Sequence, residues 1–171
     1  PWGSGDADRA PVGPDNALRV PPESPSYRLR RVWLSEADVN MGYLGYANEV
    51  LWPLCHMTLD RVVYKRDCWD GYVALNQQFA AAVIEEFRQK ESIVWVHDFH
   101  LALVPALIKK AVRSAPVSLF WHIPWPGPEV FRILPERKEI LEGLLAADSL
   151  VFQTEAHAKS FLHWVREFML W

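Results

Sequence analysis

Apolar runs alternate with amphipathic stretches from Ser92 to the end of the chain. Three short apolar runs predict strands at 93–96, 117–121 and 149–152. Between and after them, apolar residues at three- and four-residue steps predict helices at 101–112, 136–146 and 155–168. Because strands separated by helices require right-handed parallel crossovers, the pattern predicts a doubly wound α/β domain whose parallel sheet is covered on both faces.

A longer helix is predicted before the first of these strands. Asp70 is placed to cap it, and the apolar residues that follow recur at three- and four-residue steps. This apolar stripe consists of Tyr72, Leu75, Phe79, Val83 and Phe87. We expect the stripe to pack against the rest of the domain.

A shorter helix is predicted upstream, where Ser35 and Asp38 have the spacing of a capping box. Its expected course is a break near Gly42 or Gly45, a resumption over 48–54 and an end close to His56. The glycines suggest the break, because glycine weakens a helix interior.

The first residues have a different composition. Residues 1–27 are rich in Pro, Gly, Ser and Asp, and their apolar residues have no period, so we expect a loop or disordered lead-in. A short strand is expected at 31–34, and residues 28–171 are expected to form a partial domain.

Composition and charge limit the partners of the chain. It has 171 residues, half of them hydrophobic, and a formal net charge of −3 that gives no long-range attraction toward nucleic acid. Cys55 and Cys68 lack metal-like spacing and fit a reducing compartment. No segment reaches the roughly 18 consecutive apolar residues of a membrane span. We expect a soluble, cytoplasmic protein without nucleic-acid or membrane partners.

Polar residues follow two of the predicted strands. Ligands bind at the carboxyl edge of an open parallel sheet, where Asp98 could accept hydrogen bonds from a polyhydroxylated ligand and His122 could donate one. Alternatively, Asp98 caps the next helix and His122 is a satisfied buried histidine. His97 and His100 flank Asp98, but no third ligand stands at a suitable spacing, so no metal site is predicted.

Three aromatic residues lie in the upstream helix: Tyr43, Tyr46 and Trp52. Flat rings with polar tips suit sugar rings, because sugar C–H groups stack on the faces while hydroxyls reach the tips. Core packing is the alternative for each ring.

Six ordered motifs carry a resemblance to a known family. They are Tyr43-x-x-Tyr-Ala-Asn48-x-x-Leu-Trp52-Pro53-x-x-His56, Trp69-Asp-Gly-Tyr72-x-x-x-Asn76, Val94-Trp-Val-His-Asp98-x-His100-Leu101, His122-Ile-Pro-x-Pro126, Glu129-x-x-Arg132-x-Leu-Pro135 and Phe152-Gln-Thr154. From about Arg31 to the end, the chain resembles the trehalose-6-phosphate synthases, which are retaining glycosyltransferases with two Rossmann-like domains (the GT-B architecture). The resemblance implies a partial N-terminal Rossmann-like half.

The resemblance also implies a reaction and site residues. The family transfers glucose from a nucleotide sugar, usually UDP-glucose, to glucose 6-phosphate with retention, without metal or cofactor. Tyr43 and Asp98 match acceptor-binding positions, Trp52 matches an acceptor-side tryptophan, and His122 matches the histidine beside the donor sugar. Asp98 and His122 are therefore the expected catalytic pair. Tyr72, with its motif, is expected to be structural.

Parts of the family pattern are expected outside this sequence. An N-terminal strand with a glycine-rich loop should precede Pro1, and a nucleotide-binding C-terminal domain should follow Trp171. The apolar ending 168–171 also suggests a piece of a longer protein. We expect the 171 residues alone to be inactive, and the full-length protein is a possible homo-oligomer.

Several residues depart from the family pattern, and they keep alternatives open. The departures are Leu44, Tyr46, Cys55, Trp121, Trp125 and Val151. The acceptor could be another sugar phosphate or a polyol phosphate, and the protein could be a non-catalytic regulatory subunit. A hydrolase with Asp98 as nucleophile is disfavoured, because the sequence offers no partner acid.

Overall fold

The computed structural model describes residues 12–168, and the chain divides into two compact units, Pro1–Trp33 and Leu34–Trp171. In the first unit, β1 (Ala17–Val20) pairs antiparallel with β2 (Tyr27–Arg30). The loop expected over residues 1–27 is therefore wrong for 17–20 and for Tyr27, while residues 1–11 lie outside the described part. The strand expected at 31–34 is also wrong, because the pairing strand ends at Arg30.

The expected break in the upstream helix is wrong. The helical path runs without interruption through α1 (Glu36–Asp38), a π-helical segment (Val39–Leu51) and α2 (Trp52–Cys55). The amide of Trp52 donates to the carbonyl of Ala47, five residues back, which is the hydrogen-bond spacing of a π-helix. The capping box and the end close to His56 are confirmed.

Gly42 and Gly45 permit close packing instead of breaking the helix. A Cβ atom on Gly42 would lie 2.6 Å from the carbonyl oxygen of Gly71, and one on Gly45 would lie 2.6 Å from the Sγ atom of Cys68. Both contacts are with α3 (Arg66–Gln89). The missing side chains therefore let the π-helical segment and α3 approach each other.

Helix α3 begins four residues before the predicted cap at Asp70, and its N-cap, Lys65, makes no capping hydrogen bond through its side chain. Its early start buries Cys68 and Trp69, so packing and not capping sets this end. The predicted stripe is confirmed, with Tyr72, Leu75 and Phe87 buried and Phe79 and Val83 half-buried.

The sheet of the second unit has three parallel strands in the order β3 (Val94–His97), β4 (Val117–Trp121) and β5 (Ser149–Phe152). The last two match the predicted bounds, and β3 begins one residue later than expected. The helices that follow are α4 (Val104–Ala111), a short α5 (Pro128–Phe131) that the pattern did not predict, α6 (Arg137–Leu145) and α7 (Glu155–Phe168). The α/β class with a parallel sheet is confirmed.

The two faces of this sheet differ in burial. Val117, Leu119 and Trp121 on one face are almost fully buried. On the other face, Trp95 is 63% exposed and Val151 is 39% exposed. That the second face of the sheet is also covered stays a prediction. Among residues 12–168, no helix combines the length and the apolarity that crossing a membrane requires.

Candidate functional site

Asp98 stands where β3 ends, and one of its carboxylate oxygens joins the two neighbouring strand ends. Its Oδ1 atom accepts hydrogen bonds from the amide of Phe99 at 2.9 Å and from the amide of His122 at 3.1 Å. The first bond caps the 3₁₀ turn Phe99–Leu101. The capping alternative is therefore correct for this turn and wrong for the next helix, α4, whose N-cap is Leu103. No bond to the Oδ2 atom is found within residues 12–168, and this oxygen can therefore accept from a ligand.

The backbone of Asp98 is strained. Its φ of 73° and ψ of 172° lie in a region that only glycine adopts readily, at a cost on the order of 1–3 kcal/mol. Such a conformation persists only where the surroundings hold it. The amide of Asp98 donates to the carbonyl of Phe120 at 2.8 Å, which fixes this end of β3 against β4.

Two polar side chains of α3, Tyr72 and Asn76, hold the loop after Asp98. The hydroxyl of Tyr72 donates to the carbonyl of Phe99 and accepts from the amide of Ala102. Asn76 donates to the carbonyl of His100 at 3.1 Å and accepts from the amide of Leu103 at 3.1 Å. Tyr72 and Asn76 are both fully buried, so these bonds are shielded from water.

His122 lies at the end of β4 and bonds to His97 at the end of β3. The Nδ1 atom of His97 is 2.9 Å from the Nε2 atom of His122. The pKa of His97 is below its ordinary value, first because of burial and then because of His122. His122 itself is exposed, so the alternative of a buried, satisfied histidine is wrong for it.

Tyr43 is connected to the Asp98 loop through a stacked histidine. Its ring lies on that of His100, with centroids 5.2 Å apart and planes 23° apart. Burial lowers the pKa of His100 to about 4, so this imidazole is neutral at pH 7. The stack places Tyr43 against His100, which lies two residues after Asp98 in the chain.

Trp52 makes its ring contact elsewhere. It stacks on His56 with centroids 3.9 Å apart, and 38% of its surface is exposed. That Trp52 and Asp98 line the same crevice stays a prediction. Tyr46, by contrast, is fully buried against Trp69 and Tyr72, so core packing is correct for this ring.

Sequence reasoning missed a buried carboxylate, Glu136, which is bonded to the π-helical segment that carries Tyr43. Glu136 is 2% exposed and accepts hydrogen bonds from the hydroxyls of Tyr46 at 2.9 Å and Tyr64 at 2.6 Å. The guanidinium of Arg66 lies 3.6 Å away. Burial, and then the carboxylate, raise the pKa of Tyr46, which keeps its hydroxyl a donor. Only the long sequence separation hid this arrangement.

Within the described part of the chain, no three side chains of His, Cys, Asp or Glu form a group that could hold a metal ion. The two histidines that flank Asp98 are used otherwise, because His97 bonds to His122 and His100 stacks between Tyr43 and Phe99. The site therefore offers hydrogen-bonding groups and aromatic faces, which suit a polyhydroxylated ligand.

The model of glycosyltransferase family 20 matches residues 14–170. Among curated relatives, "Alpha,alpha-trehalose-phosphate synthase [UDP-forming] A" of Dictyostelium discoideum is 42% identical over 136 residues, which cover 80% of this chain and 18% of that protein. "Trehalose-6-phosphate synthase" of Mycobacterium avium (strain 104) is 42% identical over 134 residues, which cover 78% of this chain and 27% of that protein.

Solved structures show the same likeness. "Trehalose-6-phosphate from E. coli bound with UDP-2-fluoro glucose" superposes with a TM-score of 0.75 at 37% identity, covering 78% of this chain and 30% of that one. The UDP-forming trehalose-phosphate synthase from Burkholderia xenovorans in complex with glucose-6-phosphate gives a TM-score of 0.75 at 30% identity, covering 79% of this chain and 30% of that one. The chain thus spans less than a third of these relatives.

Proposed function

We propose a function from the family to which the chain belongs, glycosyltransferase family 20. The chain would form the acceptor side of an enzyme. This enzyme would transfer glucose from UDP-glucose to glucose 6-phosphate with retention, giving trehalose 6-phosphate. The substrate classes are supported by two similar structures, one bound with UDP-2-fluoro glucose and one in complex with glucose-6-phosphate. No cofactor or metal is part of the proposal.

The observation that carries the proposal is the bridge between the ends of β3 and β4. Asp98 uses Oδ1 for the amides of Phe99 and His122, which leaves Oδ2 to accept from an acceptor hydroxyl. His122 presents an exposed imidazole beside it. Asp98 and His122 would act as the catalytic pair by orienting acceptor and donor sugars, while charge on the leaving diphosphate would be stabilised by basic groups outside this chain.

Tyr43 and Trp52 would form walls of the acceptor subsite. Tyr43 is half-buried and fixed by its stack on His100, so little side-chain entropy would be lost when a sugar binds to its ring. Trp52 offers an exposed indole, which suits the C–H face of a sugar.

The burial of most departures supports glucose 6-phosphate as acceptor. Four of the six residues that differ from the family pattern are at most 3% exposed, namely Tyr46, Cys55, Trp121 and Trp125. These residues change the packing of the core and not the wall of a crevice. Leu44 is 43% exposed and Val151 is 39% exposed, so these are the two departures through which another sugar phosphate or a polyol phosphate could be selected.

Isothermal titration of the intact protein with glucose 6-phosphate tests the binding roles. We expect Asp98→Asn to weaken binding by about tenfold or more, because the amide keeps the Oδ1 bonds and loses the charged acceptor. Tyr43→Phe should weaken binding less. The control Asp67→Asn, an exposed change in the first turn of α3, should bind as the wild type does. Unchanged affinity in Asp98→Asn would reject the assignment.

Acceptor choice is tested by replacing glucose 6-phosphate with fructose 6-phosphate or glycerol 3-phosphate in the same titration. Tighter binding of either compound would favour the alternative acceptor. Glucose 6-phosphate binding without UDP release from UDP-glucose by the intact protein would favour a regulatory subunit. The 171-residue chain alone should release no UDP.

We also propose a cytoplasmic location. Cys55 and Cys68 are both free and buried, which supports a protein of a reducing compartment. The possible homo-oligomer stays a prediction that light scattering on the intact protein tests.

A further inference from the structure

The two imidazoles at the ends of β3 and β4 meet edge to edge. The Nδ1 atom of His97 and the Nε2 atom of His122 are 2.9 Å apart, and the ring planes differ by 26°. The ring centroids are 5.2 Å apart, which is the separation expected when the nitrogen-to-nitrogen contact lies on the line between the ring centres. This is the linear geometry of an N–H···N hydrogen bond and not a face-to-face stack.

A contact of this kind holds one proton. If both facing nitrogens carried hydrogen, two donors would confront each other, and if neither did, two lone pairs would. One ring therefore donates and the other accepts. Consistent with this, burial and His122 lower the pKa of His97, with Asp98 acting in the opposite direction. Because Nε2 of His122 is occupied, only Nδ1 remains on that ring for a ligand.

The neighbours of His97 hold its ring in place. Trp95 lies on one side with ring centroids 4.7 Å apart, and Phe120 lies 6.4 Å away on β4. Phe120 also contacts His122, at 4.3 Å. The bond between the histidines thus joins two rings that are each fixed by aromatic contacts.

We propose that His97 is a positioning residue for the transfer reaction, which holds the Nε2 atom of His122 and so orients the ring to meet the sugar through Nδ1. This inference rests on the proposed function. It predicts that the hydrogen bond exists before substrate binds and that its loss affects turnover more than acceptor binding.

Nuclear magnetic resonance on the intact protein with ¹⁵N-labelled histidine tests the bond itself. We expect scalar coupling between Nδ1 of His97 and Nε2 of His122 across the hydrogen bond, with both signals identified by their loss in His97→Asn and His122→Asn. Absence of coupling at pH 7.5 would overturn the inference, whatever the substrates of the protein are.

Kinetics with two variants separate positioning from packing. His97→Phe keeps a flat ring and removes the bond, so kcat should fall by about tenfold while KM for glucose 6-phosphate changes less than about threefold. The side-chain amide of His97→Asn reaches the place of Nδ1 and should keep kcat within about threefold of the wild type.

The outcomes distinguish this inference from the proposed function. Equal losses in His97→Phe and His97→Asn, or no loss in either, would overturn the positioning role while leaving the transferase proposal intact. No transfer to glucose 6-phosphate by the wild-type intact protein would instead reject the proposed function, and the coupling measurement would still test the bond.

Discussion

Removing one buried hydroxyl should loosen the loop that carries Asp98. Tyr72→Phe keeps the ring in the core and deletes the oxygen that accepts from the amide of Ala102 and donates to the carbonyl of Phe99. Ala102 and Phe99 are at most 3% exposed, so water cannot readily replace the lost partner. An unsatisfied buried backbone group costs about 1–3 kcal/mol, and two such groups predict a loss of about 2–6 kcal/mol.

Urea unfolding of the 171-residue chain measures this loss as a lower midpoint at an unchanged m-value. The control is Tyr27→Phe, an exposed tyrosine of β2, which should change the free energy of unfolding by less than about 0.5 kcal/mol. Hydrogen exchange should also quicken at the amide of Ala102. A Tyr72→Phe loss no larger than that of the control would refute the reasoning.

Three further predictions concern packing, pH and the buried carboxylate. Gly71→Ala should lower the free energy of unfolding, measured with urea, by about 1–3 kcal/mol, because its Cβ would lie 2.5 Å from the Cβ of Met41; a smaller loss would show that the helices can separate. The pKa of His100 is about 4 in the folded chain and about 6.5 when unfolded, so the unfolded state binds a proton first and stability should fall as pH drops from 6.5 to 4. The free energy of unfolding, measured with urea at pH 7 and 5, should show an extra loss of about 1–2 kcal/mol relative to His100→Asn, and parallel pH profiles would contradict this. Glu136→Leu leaves the hydroxyl of Tyr46 buried without its acceptor and should lower the free energy of unfolding by about 1–3 kcal/mol, whereas no loss would show that the carboxylate is dispensable.

Regular local patterns made much of the sheet predictable. The strands at 117–121 and 149–152 and the helix at 155–168 have the predicted bounds, because short apolar runs and an amphipathic period carry local information. The same topology predicted that Asp98 and His122 meet, since the carboxyl ends of neighbouring parallel strands share one edge. In the structure the amide of His122 donates to the Oδ1 atom of Asp98 at 3.1 Å, while the roles of both side chains stay predictions.

Features that depend on distant partners were not predictable. The hairpin of β1 and β2 is defined by pairing across a turn, and its strands are too short to show a period. Gly42 signals a helix break locally, whereas its packing against Gly71 explains the continuous helix. Glu136 lies 90 residues from Tyr46 in sequence, so no local pattern could join them.

The imidazole pair was also beyond sequence reasoning. His97 could be placed at the strand end, but the direction of its Nδ1 atom toward His122 depends on side-chain geometry. Sequence spacing instead raised the question of metal ligands, which the described residues do not support.

The most direct test of the central claim is UDP release from UDP-glucose by the intact protein, measured with and without glucose 6-phosphate. The account predicts release that depends on glucose 6-phosphate in the wild type and a loss of about 100-fold or more in kcat/KM for Asp98→Asn, because the acceptor would lose its charged partner at the reacting centre. Release by Asp98→Asn at the wild-type rate would contradict the account.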